Sequence, residues 1–258
     1  MSSSRRETLK DLKSGETTHP GLWLDKYLRD HETGAGATLV SARRGDPAVI
    51  PATLGYFTVM EALQVVGYWV INDCTSPVNQ SVTLLSVLHI VFQPLAINAF
   101  AMELVRTPVG LPMRTFVFTL CALSSVLMLL QLYPFAWAGP CAPGSQLCAQ
   151  QLCTVSGDWH QAWDVPFNGL LVPLENAMGT NWGFPSYMLV TFLLPLIYGA
   201  WRLVLFHLVA GPVAAGLLTS NPNEVPAIWC LFSIAIVLIA LSPAIRQRFQ
   251  GGPTTSIS

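Results

Sequence analysis

Of the 258 residues, 52% are apolar and 10% charged, against roughly a quarter charged in ordinary soluble domains. The 13 Lys and Arg nearly balance the 14 Asp and Glu, giving a net charge of -1. These figures exclude a disordered chain, a collagen-like fibre and a basic nucleic-acid binder, so no direct nucleic-acid partner is expected.

Several apolar runs approach the ~20 residues that a helix needs to cross a ~30 Å hydrocarbon core. The chain therefore reads as all-α, a polytopic membrane helical bundle whose first partner is the lipid bilayer of the cell membrane. Residues 1–47 form a cytosolic N-terminal segment, partly helical or disordered. Residues 48–245 form the bundle, with an outer loop at 137–183, and 246–258 a cytosolic tail. The first segment does not read as a signal peptide, because no apolar core follows its first basic residues. Its Leu22, Trp23, Leu24, Tyr27 and Leu28 fit one amphipathic helix, lying on a membrane, on a partner or on the protein's own loops.

Six spans are predicted, at roughly 49–72, 82–104, 115–136, 184–201, 204–220 and 226–244. Positive charge stays on the cytoplasmic side, and every Lys and Arg obeys one scheme. Eight precede the first span, and Arg106, Arg114, Arg202, Arg246 and Arg248 fall at the remaining cytoplasmic turns. Both termini are then cytoplasmic. Gly211-Pro212 sits inside the fifth run, which predicts a broken or re-entrant segment.

Polar residues within the spans are the candidate site. Glu61, Gln64 and Tyr68 share one helical face, as do His89 and Gln93. In a hairpin of the first two spans, Glu61 and His89 both lie roughly 12–18 Å from the outer end. A Glu61/His89 contact is therefore expected, either as a structural hydrogen bond or as a proton or ligand site. Asn98 leaves the His89 face unless Pro94 kinks the span. Glu103 reads as an interfacial pair with Arg106. Asn221-Pro222-Asn223-Glu224 reads as a helix start with a capping-box carboxylate, and Trp229 as an interfacial anchor.

Cys74, Cys141, Cys148 and Cys153 fall on the outer side, where disulfides are expected with three pairings open; Cys121 and Cys230 read as packing residues. The outer loop also holds Asp158, Trp159, His160, Trp163 and Asp164, which could dip toward His89, with Phe167 to Leu174 as a short interfacial helix. A zinc hydrolase would have to draw on His89, His160, His207, Asp164 and Glu61, and the topology puts His207 at the far end. The cysteine spacing is poor for zinc, since Cys148-x4-Cys153 lacks a second matching pair and His160 is the only nearby imidazole, and no pattern specifies a cofactor.

Three strings carry a resemblance: Met60-Glu61-Ala62-Leu63-Gln64, His89-Ile90-Val91-Phe92-Gln93-Pro94 with Asn98, and Gly211-Pro212 followed by Leu218 to Glu224 and Ala227-Ile228-Trp229-Cys230. Over residues 50–245 the chain resembles an uncharacterised family of multi-pass membrane proteins of bacteria and large DNA viruses. The resemblance implies a shared bundle with Glu61, Gln64, His89, Gln93, Asn98, Asn221 and Glu224 among its polar residues, and no assigned activity. It also draws Glu224 toward the site. The ten residues His19 to Leu28 are similar to a stretch in backbone subunits of type III CRISPR effector complexes, a length at which chance suffices.

The leading expectation is an integral membrane protein with an intramembrane polar pocket for a small solute or proton. Its binding residues are Glu61, Gln64, His89, Gln93, Asn98, Asp164 and Glu224. The alternatives are the zinc-dependent membrane hydrolase and a membrane anchor that holds a cytosolic protein partner through residues 1–47.

Overall fold

Pro77 and Pro112 each stand in the first helical turn, where a missing N–H costs no hydrogen bond, and each opens a long apolar helix. The computed structural model describes residues 34–232 and 234–250; the Leu22–Leu28 and His19–Leu28 readings lie outside these residues. Residues 34–44 are helical (α1). Three long helices follow, α2 (Val49–Trp69), α3 (Pro77–Glu103) and α4 (Leu111–Gln131). Each packs along its neighbour in sequence.

The outer loop departs from the all-α expectation. It holds a two-stranded antiparallel hairpin, β1 (Cys153–Ser156) and β2 (Gln161–Asp164), with Thr154 opposite Trp163. Strands of four residues are too short for a period-two pattern to register in sequence. Next come α5 (Val172–Met178), which begins later than the predicted interfacial helix, then α6 (Pro185–Phe192) and α7 (Leu194–Ile197). Helix α8 (Trp201–Leu208) runs through a π-helical turn, Val209–Val213, into α9 (Ala214–Leu218). Gly211 there has φ -103° and ψ -107°, so the break expected at Gly211-Pro212 is present. The chain closes with α10 (Val225–Phe232), α11 (Ile234–Leu241) and α12 (Pro243–Gln250).

Among the described residues, four helices are long and apolar enough to cross a membrane: Val49–Trp69, Pro77–Glu103, Leu111–Gln131 and Trp201–Leu218. The predicted fourth span is shorter, an apolar stretch at Pro185–Ile197 whose Pro195 has no N–H to donate.

The two ends of the bundle differ in chemistry. At the hairpin end, Asn79 at the start of α3 holds β1 from both sides. Its amide donates to the Val70 and Thr154 carbonyls (2.7 and 2.9 Å), and its Oδ1 accepts the Thr154 N–H (2.9 Å). Disulfides join Cys74 to Cys153 and Cys141 to Cys148, one of the three open pairings. Cys121 and Cys230 are free and buried.

At the opposite, arginine end, Arg246 pairs with Asp46 (2.8 Å) and Arg114 with Glu103 (3.4 Å). Burial opposes the charge on Asp46, but hydrogen bonds from Arg246 and Ser41 outweigh it and hold the carboxyl below its usual range.

Of the four buried apolar clusters among the described residues, two make up most of the interior. One, toward the hairpin, contains Met60, Val87, Met128, Trp163, Tyr187 and Trp229; the other, toward the arginine end, contains Leu54, Phe57, Ile97 and Phe100. Trp229 is therefore a core residue and not the expected interfacial anchor. Its ring fills the space over Gly211, where a Cβ would lie 2.3 Å from Nε1, and its N–H donates to His207 Nε2 (2.9 Å).

Candidate functional site

The turn between the strands carries the densest polar contacts. Gly157 N–H donates to the His160 carbonyl (2.7 Å), and the next three amides converge on one buried carboxylate. Asp158 N–H donates to Glu224 Oε2 (2.9 Å), while Trp159 N–H (2.7 Å) and His160 N–H donate to Oε1. The Thr219 hydroxyl adds a fourth donor at 2.5 Å. Charge-assisted bonds of this kind let an ionised carboxylate sit out of water. The position of Gly157 has a steric cause, since a Cβ there would lie 2.4 Å from Glu224 Cδ. Glu224 is thus not the expected capping-box residue: its side chain turns away from its own helix and grips the β1–β2 turn.

The same turn aims the His160 imidazole inward. Tyr68 hydroxyl meets Nδ1, and Nε2 lies 3.2 Å from Gln64 Oε1. Gln64 Nε2 donates to the Ala227 carbonyl (3.2 Å), which leaves Oε1 as an acceptor. This assigns the Nε2–H tautomer to the neutral ring, with Nδ1 accepting from Tyr68. A continuous chain Tyr68–His160–Gln64–Ala227 therefore links α2, the hairpin and α10. Glu61 lies one turn further inward on the same face of α2, buried, and its carboxyl acts electrostatically on the Cys230 thiol of α10.

His89 takes a different partner from the one expected. Its Nε2 bonds the Tyr56 carbonyl (2.7 Å), and the Tyr56 hydroxyl returns a bond to the His89 carbonyl. The rings lie 3.8 Å apart. The cause is depth. Helix α3 begins at Pro77, so His89 sits ~18 Å in, while Glu61 is ~12 Å from the end of α2. Tyr56, more than a turn below Glu61, is level with His89.

The other predicted residues are dispersed. Gln93 Oε1 accepts from the Tyr187 hydroxyl (3.0 Å). Beside them is a small cavity of about 10 Å³ lined by Ile90, Phe184, Trp229 and Cys230. Asn98 ties α3 to α6 by donating to the Pro94 and Val190 carbonyls (2.9 and 3.1 Å), and it accepts from the Tyr198 hydroxyl (2.8 Å). Asp164 accepts from Asn223 Nδ2 (2.8 Å) at the rim of the hairpin. Glu175 accepts the Gly183 N–H (2.5 Å), and burial pushes its carboxyl above the usual range.

The geometry thus unites Gln64 and Glu224 through His160, leaves Glu61 one turn inward on the Gln64 face, and sets His89, Gln93, Asn98 and Asp164 apart. His160 and Tyr68 complete the cluster, although the sequence reading placed neither in the pocket. The signal was the Tyr68 offset on the Glu61 face. Among the described residues, no three His, Cys, Asp or Glu side chains group as a metal site. The imidazoles of His89, His160 and His207 each engage a different partner.

Fold and site together define a helical bundle with an internal polar column closed by a disulfide-tied hairpin. The chain belongs to the family of unknown function DUF5765, whose model matches residues 31–250. No curated protein and no solved structure matches it.

Proposed function

We propose that the protein is a multi-pass membrane protein that binds and passes protons through the column Glu61–Gln64–His160–Tyr68. Six crossings with both termini cytoplasmic fit the charge pattern, since Asp46, Glu103, Arg114, Arg202 and Arg246 gather at one end and the disulfides at the other. Apolar side chains on the outside support the same reading. Helix α4 buries 28% of its most apolar window and the 201–218 stretch 22%, leaving Leu123, Val126, Leu205 and Leu217 to face lipid.

The observation that carries the proton reading is the His160 ring, whose Nε2 is bonded to Gln64 on the face that also carries Glu61. In this reading Glu61 takes up the proton within the bundle, because an intramembrane carboxylate is costly unless it is neutralised or paired. His160 exchanges protons with the outer side at Nδ1, becoming an imidazolium whose Nε2–H stays hydrogen-bonded to Gln64 Oε1, so Gln64 orients the ring and carries no proton itself.

The test is proton flux into proteoliposomes carrying a pH-sensitive dye after an acid step. Wild-type protein should acidify the lumen faster than empty vesicles, and Glu61→Gln should return the rate to that of empty vesicles while keeping its folded elution profile. Equal rates for wild type and Glu61→Gln would overturn the reading.

A further inference from the structure

We propose that the arginine end carries a binding groove for one anionic phospholipid, with its acyl chain against α8 and its phosphate between Arg202 and Arg248. The proposal rests on the membrane reading above and adds a ligand to it.

A groove of about 480 Å³ runs along α8 and the π turn, with Leu205, Phe206, Val209 and Phe249 as its apolar walls. Arg202 and Arg248 also line it. A second hollow of about 300 Å³ adjoins it, sharing Trp201, Arg202 and Phe249 and adding Arg106. Three arginines thus line the two neighbouring hollows, and neither lining includes an acid.

Among the described residues, Arg202 and Arg248 form no ion pair. Arg202 donates to the main-chain carbonyls of Arg248 and Phe249 (3.0 and 3.4 Å), which orient the side chain without neutralising it. It also lies 5.0 Å from the Trp201 ring, a contact that fixes the guanidinium at the level where aromatic residues mark a membrane interface. Apolar walls below two arginines that have no acid partner among the described residues fit a lipid with a negative head and a hydrocarbon tail. Charge complementarity thus selects an anionic lipid over a zwitterionic one.

The experiment is native mass spectrometry of the detergent-purified full chain, titrated with phosphatidylglycerol or with phosphatidylcholine of identical acyl chains. Two arginines near a headgroup predict a preference of roughly thirtyfold for phosphatidylglycerol. Arg202→Gln with Arg248→Gln should remove the preference. The exposed Arg248→Gln alone, which leaves the Arg202 contacts to main-chain carbonyls in place, should reduce it to roughly fivefold. Ala210→Trp, which fills the groove, should lower the occupancy of both lipids. Inorganic phosphate at the same concentration should not displace the lipid, because it lacks the tail.

Equal binding of both lipids by wild type, an unchanged preference in the double variant, or displacement by phosphate would each overturn the site. Membrane fractionation separates this from the underlying reading. Protein that partitions into membranes without lipid preference sinks the groove alone, and protein that stays out of membranes sinks both.

Discussion

The main-chain amide of His160 is hydrogen-bonded to the carboxylate of Glu224, so an acid 64 positions away sets the backbone of the residue whose ring reaches Gln64 and Tyr68. The inner column is therefore only as well placed as the outer turn that supports it.

Glu224→Gln should destabilise the protein by about 3 kcal/mol, because an amide offers one acceptor oxygen to four donors and leaves buried N–H groups unmet. Thermal unfolding in detergent measures the loss, and hydrogen exchange should accelerate at residues 158–160. An unchanged melting temperature would show that Glu224 does not anchor the turn.

The Cys74–Cys153 bridge spans 79 positions and ties the hairpin to the loop after α2. Replacing both with Ser should cost about 2–4 kcal/mol and expose the 150s to protease. Peptide mapping without reductant should recover this pair and Cys141–Cys148, with Cys121 and Cys230 unlinked; any other linkage would contradict the arrangement.

At Gly211 the steric prediction is sharp. A methyl group there overlaps the Trp229 indole, so Gly211→Ala should cost about 1–3 kcal/mol. Combining it with Trp229→Leu should relieve most of the added loss. Strictly additive effects in the double-mutant cycle would mean that the two positions do not touch.

The Asp46–Arg246 bridge gives a pH dependence with a definite sign. The folded carboxyl titrates below the 3.8 of a free aspartate, so its stabilisation is present above that value and fades as pH falls through the lower folded one. Wild type and Asp46→Asn should differ by about 1 kcal/mol at neutral pH and converge in acid. A difference that persists in acid would assign the effect to packing.

Much of the large-scale plan was legible because it obeys long-range rules. The arginines report which turns share an end, and the break at Gly211-Pro212 follows from proline's missing donor. The inward face of Glu61 and Gln64 follows from helical spacing alone. Partners were harder to read. His89 chose Tyr56 because a proline five residues ahead of the expected start lengthened α3, shifting every depth on it. The hairpin escaped notice because four-residue strands carry too little pattern. Glu224 satisfied every local rule for a helix cap, yet three amides from another loop outcompeted that role. Such contacts are set by tertiary placement and have no signature in the neighbouring residues.

The indole of Trp229 seated in the notch at Gly211 has a mechanical consequence. A projecting ring lodged in a backbone recess acts as a detent, so α10 cannot glide lengthwise past the π turn without driving the ring into the main chain. Piston-like displacement is thereby barred on this side of the molecule.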